Sequence, residues 1–242
     1  MSILTEIQIN EGYFHGVAGF PPLNSTDDRT NFAIEVKDYK GQEQLCIACT
    51  QLENHGYSGR EKKRVLAEWL DFLRTNKKMF KALHFCSRVP QALFDAACCQ
   101  EDLEELRFKW GGYTDLSALE NLQKLKYLYI GSGAGVRDIT TLGRIKTLIV
   151  LYVENFKRIE DYSPLITLNK LEQLIISGPI LANTPVKDYE FLREMKNLVS
   201  VWFPNVTVRR KYSLEELTAL RSALSNLTFI YGSHLHCGRT AV

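Results

Sequence analysis

Four stretches of this sequence carry residue types that could do chemistry. The first is Tyr127–Asp138, YLYIGSGAGVRD, in which a strand-like run ends in Gly131, Gly133 and Gly135. A glycine-rich turn after a strand can cradle a dinucleotide phosphate, which needs G-x-G-x-x-G, a long helix directly after it and an acid about 20 residues on. Here the third glycine comes one residue early and a short segment led by Asp138 follows. The glycines are therefore expected to serve a tight turn with positive φ. The second stretch is Cys46-Ile-Ala-Cys49, half of a zinc-ribbon spacing; Cys98-Cys99 cannot supply the other half. The third, His234-Leu-His236-Cys237, puts two imidazoles on one strand face with no carboxylate close in sequence, and is expected to be a tail. The fourth, Arg209-Arg210-Lys211, reads as a solvated basic loop. None of these implies a metal or a cofactor.

The bulk composition narrows the class. The chain has 242 residues, 45% apolar and 24% charged, with a net charge of +2, which is ordinary for a globular protein. That charge gives no global field for nucleic acid or an acidic membrane surface. No apolar run reaches the ~18 residues of a membrane span. The opening MSILTEIQIN lacks the basic and long apolar regions of a signal peptide. A cytoplasmic setting is expected, with the six cysteines reduced, small and buried.

The elements that must position any site come from a repeat. The pattern apolar-x-x-apolar-x-apolar begins at Phe80, Leu103, Leu125, Leu148, Leu171, Leu198 and Leu224, in steps of 23, 22, 23, 23, 27 and 26 residues. Each of four rows continues with an aspartate, Asp115, Asp138, Asp161 or Asp188, followed by apolar-x-x-Leu-x-x-apolar spacing. Period-two alternation predicts a short strand, and the switch to three-and-four spacing predicts a short helix or 3₁₀ turn. One row cannot bury its own interior, but stacked rows can. The aspartates are placed to accept backbone N–H bonds at the start of each convex segment.

These rows resemble the leucine-rich repeat family, in the 22-residue form of bacterial internalins and phosphatase-regulatory subunits. The resemblance covers roughly residues 80–232. It implies an α/β solenoid with a parallel sheet on the concave face, short helices or 3₁₀ turns on the convex face, and a non-enzymatic role in protein binding. The family's usual turn asparagine is missing: Gly111, Gly133, Phe156 and Pro179 stand there.

Residues 1–79 lack the repeat and are expected to form an α+β N-terminal cap. A hairpin is expected from Phe32–Tyr39 and Leu45–Cys49 about Lys40-Gly41, followed by a helix over 61–75. Ser213-Leu-Glu-Glu216 is a capping box opening a helix through Leu224, before a last strand at 227–231 and a tail at 233–242. The long step from Leu171 to Leu198 places surplus residues in Gly178–Pro185, expected to protrude beside the concave rim with Ile180 and Leu181 at the tip, as partner contacts or a lid over Trp202.

Residues between the buried leucines point to the concave side. The central column is His84, Arg107, Tyr129, Tyr152, Ile175, Trp202 and Thr228; the column before it includes Glu105, Tyr127, Val150, Gln173 and Ser200; the column after it includes Cys86, Lys109 and Glu154. Tyr127, Tyr129, Tyr152, Ile175 and Trp202 are expected to form one protein-binding patch. Arg107, Lys109, Glu105 and Glu154 are expected to flank it as a rim that orients the partner. The reading is a non-enzymatic interaction protein: a regulator, a scaffold or a toxin-neutralising immunity protein. The alternative is an enzyme with its active site in residues 1–79, where no nucleophile elbow, paired-carboxylate motif or P-loop is present.

Overall fold

The computed structural model of the chain describes residues 2–11, 13–14 and 31–231. Nine parallel strands make one sheet, and they follow one another in chain order. They are β1 (Phe32–Ala33), β2 (Gln44–Ile47), β3 (Ala82–Pro90), β4 (Glu105–Gly112), β5 (Tyr127–Ile130), β6 (Val150–Glu154), β7 (Gln173–Ser177), β9 (Ser200–Trp202) and β11 (Phe229–Tyr231). Two short strands, β8 (Thr184–Val186) and β10 (Val206–Val208), pair in parallel outside it. The register aligns the repeat leucines: Leu45, Leu83, Leu106, Leu128, Leu151, Leu174 and Val201 are successive partners, all fully buried. This is a leucine-rich repeat solenoid, built as the 22–27-residue rows require.

The convex side follows from the second half of each row. 3₁₀ turns span Ser117–Asn121, Leu142–Arg144, Ser163–Thr167 and Glu190–Glu194. Before each, an aspartate oxygen accepts the backbone N–H two residues on: Asp115 from Ser117 at 2.8 Å, Asp138 from Thr140 at 2.8 Å, Asp161 from Ser163 at 2.9 Å and Asp188 from Glu190 at 3.0 Å. These bonds satisfy donors that a short turn leaves orphaned. Helices replace the 3₁₀ turn in other rows. After α1 (Glu6–Glu11) come α2 (Gly59–Thr75), α3 (Gln91–Ala97) and α4 (Leu214–Ala223). Ser58 and Ser213 cap α2 and α4 through reciprocal bonds with Glu61 and Glu216. The face of α2 that carries Val65, Trp69 and Leu73 is buried, and Trp69 Nε1 donates to the Ile34 carbonyl at 2.8 Å.

The expected hairpin does not form. β1 pairs with β2 in parallel, so the chain makes one more short row. The reason lies at Asp38, whose Oδ2 accepts the N–H groups of Ile34 and Glu35 at 3.2 and 2.9 Å. Those donors are thereby withdrawn from a ladder, and the chain turns through a 3₁₀ segment, Val36–Asp38. β2 then pairs with β3, so strands from either side of the expected 79/80 boundary share one sheet.

The glycine turn also differs from expectation. Its positive φ belongs to Ser132, at 55°, and not to a glycine. Gly131 and Gly133 are required by close approach between rows. A Cβ on Gly131 would stand 2.2 Å from the Lys109 carbonyl oxygen, and one on Gly133 would stand 2.2 Å from Cε2 of Phe156. Phe156 occupies the family's asparagine position and is fully buried. Nearby, the Tyr113 hydroxyl donates to the Gly131 carbonyl at 2.7 Å. Aromatic rings thus fill the turn that an asparagine ladder would otherwise bridge.

The Gly178–Pro185 surplus is a framed loop. Gly178 N–H donates to Pro204 O at 3.0 Å, Ala182 N–H to Pro179 O at 3.2 Å and Thr184 N–H to Asn205 O at 2.9 Å. Ile180 and Leu181 protrude at 91% and 97% exposure, which leaves them too open to be a lid packed on Trp202.

Candidate functional site on the concave face

Because the register is strict, the concave columns stand as the strands dictate. Tyr129 and Tyr152 are direct partners on β5 and β6, and their rings stack at 4.5 Å. The Tyr129 hydroxyl donates to Glu154 Oε2 at 2.8 Å, while the Tyr152 hydroxyl accepts from Ser177 Oγ at 3.2 Å. Burial first, and then the Glu154 charge, raise the Tyr129 phenol well above its ordinary range. Tyr127, Tyr129, Tyr152 and Trp202 are half-buried, while Ile175 is buried at 1% exposure. Trp202 turns its indole N–H to Ser200 Oγ at 2.8 Å.

Much of this face lies under the chain's own residues 2–11, 13 and 14. Tyr13 stacks flat on Tyr127, with centroids 4.2 Å apart and planes 3° from parallel. Phe14 stands over the tyrosine pair, 5.8 Å from Tyr129 and 6.4 Å from Tyr152. Leu4 and Tyr13 close a small apolar cluster with Ile149 and Val150, against which Ile9 and Val199 pack.

Polar contacts fix the segment as well. Glu172 accepts from the Ser2 hydroxyl at 2.6 Å, from Ile3 N–H at 3.0 and 2.9 Å, and from Leu4 N–H at 3.2 Å. Gln173 accepts from Tyr13 N–H at 2.8 Å and donates to Gln8 O at 3.0 Å. Ser200 donates to Ile9 O at 3.1 Å.

Glu105 and Arg107 form a buried ion pair, Oε1 to Nε at 2.5 Å. The other Glu105 oxygen accepts the Tyr13 hydroxyl at 2.9 Å, and the Arg107 guanidinium lies 4.8 Å from the Phe14 ring centre. Burial and the Glu105 carboxylate raise the Tyr13 phenol above its usual range. This pair sits beneath the segment rather than at a rim. Both Glu105 oxygens are engaged, one by Arg107 and one by Tyr13. Lys109 lies apart, its ammonium 4.5 Å from the Trp110 ring centre.

The strands thus bring together Glu105, Arg107, Tyr127, Tyr129, Tyr152 and Glu154. Sequence reasoning put Gln173 and Ser200 in the right column without singling them out, and it missed Glu172, Tyr13 and Phe14. The signal was there in Gln173 and Ser200, two polar residues on adjacent rows beside Val150 and Tyr127.

The cysteine pair of the C-x2-C spacing is split by the sheet. Cys46 packs with Ala48 and Cys86 on the concave side, while Cys49 belongs to the main core. Cys98 is fully buried, and burial pushes its thiol up. Of the basic run, Arg209 pairs with Glu160 at 3.1 Å and Arg210 with Glu216 at 2.7 Å. His234, His236 and Cys237 lie outside the described residues. Among the described residues, no three histidine, cysteine or acidic side chains converge as metal ligands, and no helix is long and apolar enough to cross a membrane.

The sequence matches no family model and no curated protein. Solved structures do match. An internalin (inlF) from Listeria monocytogenes aligns with a TM-score of 0.48 at 18% identity, over 63% of this chain and 54% of that one. Internalin C2 from the same organism aligns with a TM-score of 0.43 at 20% identity, over 69% of this chain and 75% of that one. The chain spans about half the length of the first of these internalins. Its own row spacing and register make it a leucine-rich repeat solenoid.

Proposed function

We propose that this protein is a non-enzymatic interaction module that binds a protein partner on its concave face. The observation that supports this is that the face holds a peptide segment, through aromatic stacking and through bonds to backbone N–H and C=O groups. A surface that grips backbone and aromatic rings is suited to a second polypeptide. Tyr127, Tyr129, Tyr152 and Trp202 supply the contact area, with Ile175 buried between Tyr152 and Trp202 in the register, and Glu105, Arg107 and Glu154 setting orientation. The role is that of a cytoplasmic regulator, scaffold or toxin-neutralising immunity protein.

The competing enzyme reading needs convergent ionisable groups in residues 1–79. Glu35, the most buried carboxylate of the described part of that region, is held by Arg64 at 3.0 Å and by the Tyr57 hydroxyl at 2.9 Å. A carboxylate so engaged has a structural use, which favours the binding reading.

The experiment compares partner capture from native lysate by the wild type with capture by Trp202→Ala and Tyr152→Ala, each alone and with Tyr129→Ala. Capture is expected to drop while the thermal midpoint moves little. Full capture by the folded double variants would remove the concave face as the working surface.

A further inference from the structure

We propose that the concave cradle is a peptide site for a partner segment bearing a tyrosine followed by a second aromatic residue, and that residues 2–14 fill it as an exchangeable stand-in. This rests on the protein-binding reading above and names the chemistry of the partner.

The seat has two layers of recognition. Glu172, Gln173 and Ser200 read backbone, taking the N–H groups of Ile3, Leu4 and Tyr13 and serving the carbonyls of Gln8 and Ile9. Any polypeptide of the right path can offer those groups. The second layer reads side chains. Tyr127 stacks on a ring, Glu105 takes the hydroxyl of that same ring, and Arg107 lies over the next ring. A phenol followed by an aromatic residue satisfies all three, and phenylalanine in the first place would leave one buried Glu105 oxygen without its donor.

The seat is also built to be vacated. Gln173 and Ser200 are fully buried, and Glu172, Glu105 and Arg107 are 7–9% exposed, yet each of the five touches the segment. If the segment leaves, water replaces its hydrogen bonds. The apolar part of the seat, Ile149 and Val150, is small, so opening uncovers less apolar surface than a seat made wholly of Leu and Val would. The segment itself is packed on one side only: Ile3 and Ile7 are 62% and 55% exposed while Leu4 is buried. A core element of this solenoid buries its aliphatic residues, as the repeat leucines do.

The test uses full-length protein and a fluorescein-labelled peptide of residues 2–14. In the full chain, Tyr13→Ala with Phe14→Ala empties the side-chain layer. By fluorescence polarisation this variant is expected to bind the peptide, and the wild type at least about tenfold more weakly, because its tethered segment competes at high effective concentration. A peptide with Tyr13→Phe is expected to bind about tenfold more weakly than the natural one, as a lost bond to a charged group predicts. Equal binding of the peptide to both proteins, or none to a folded variant, overturns the proposal.

Hydrogen exchange on the wild type is independent of whether the variant folds. The amides of Ile3, Leu4 and Tyr13 are expected to exchange through a local opening well before those of β5 to β7. Exchange of all of them only with global unfolding makes the segment integral and overturns the proposal. So does a wild-type dimer formed by swapping the segment, since the occupant would then be a second copy. Peptide exchange with no protein captured would remove the function reading and leave the site standing.

Discussion

The two faces of the solenoid are built by different rules. On the convex side one solution recurs four times: an aspartate accepts an N–H two residues on and a 3₁₀ turn follows. On the concave side the rows do not share one solution. Tyr127, Val150, Gln173 and Ser200 are register partners, yet one stacks, one packs and two hydrogen-bond. A face that only needs to fold can repeat itself, because every row poses the same backbone problem. A face that must fit one particular segment cannot, because the segment differs along its length.

The largest expected effect falls on the repeating part. Phe156→Ala empties a fully buried turn and should cost about 3–5 kcal/mol in urea unfolding. Tyr152→Ala, half-buried on the other face, should cost much less; equal losses would break the distinction. Glu172→Ala should leave the rows intact and cost about 1.5–3 kcal/mol in the hold on residues 2–4, read as faster exchange of the Ile3 and Leu4 amides.

The pH response sharpens the same contrast. Burial, and then the charges of Arg107 and Lys109, bring the His84 imidazole down to about 3 from 6.5. The unfolded chain therefore binds a proton that the folded chain refuses between those values. This stability is complete above pH 6.5 and is lost as pH falls towards 3. In His84→Gln the slope of stability against pH should flatten across that window. If the slope is unchanged, the concave side at β3 is not as dry as its neighbours make it.

Smaller still, Asp161→Ala should cost about 1 kcal/mol, and Asp115→Ala and Asp138→Ala the same, measured by thermal or urea unfolding. Unequal costs would show that the convex turns are less alike than their geometry. The smallest effect belongs to Ile180→Ser with Leu181→Ser: stability should stay within about 0.5 kcal/mol, as both side chains stand in solvent.

The rows, their register and the aspartate caps were legible because period and spacing encode them directly. Leu106, Leu128 and Leu151 had to meet once each row formed a strand. The parallel β1–β2 pair was not legible. Alternation in Phe32–Tyr39 looks the same whether the strand runs eight residues or two, and only Asp38 bonding back to Ile34 and Glu35 ends it early. The occupant of the concave face was hidden for a different reason. Leu4, Ile9, Tyr13 and Phe14 follow neither a helical nor a strand period, since they fit a surface whose shape other rows supply. Aromatic residues in outward columns announced that something covers the face without saying what.

The bonds that hold this covering segment to the sheet span 92 to 191 positions, whereas the contacts between rows span some twenty-odd. The rows can assemble one after another as the chain leaves the ribosome. Tyr13 and Phe14 emerge early but have no complete seat until Ser200 has followed. At ordinary elongation rates that delay is about 10–40 s. During it the Tyr13–Phe14 pair is without its full seat, and Tyr127, Tyr129 and Tyr152 take shape before the last hydrogen bonds of the clasp can close. The order of synthesis therefore gives every new molecule one interval in which its concave face is open before its own segment can close over it.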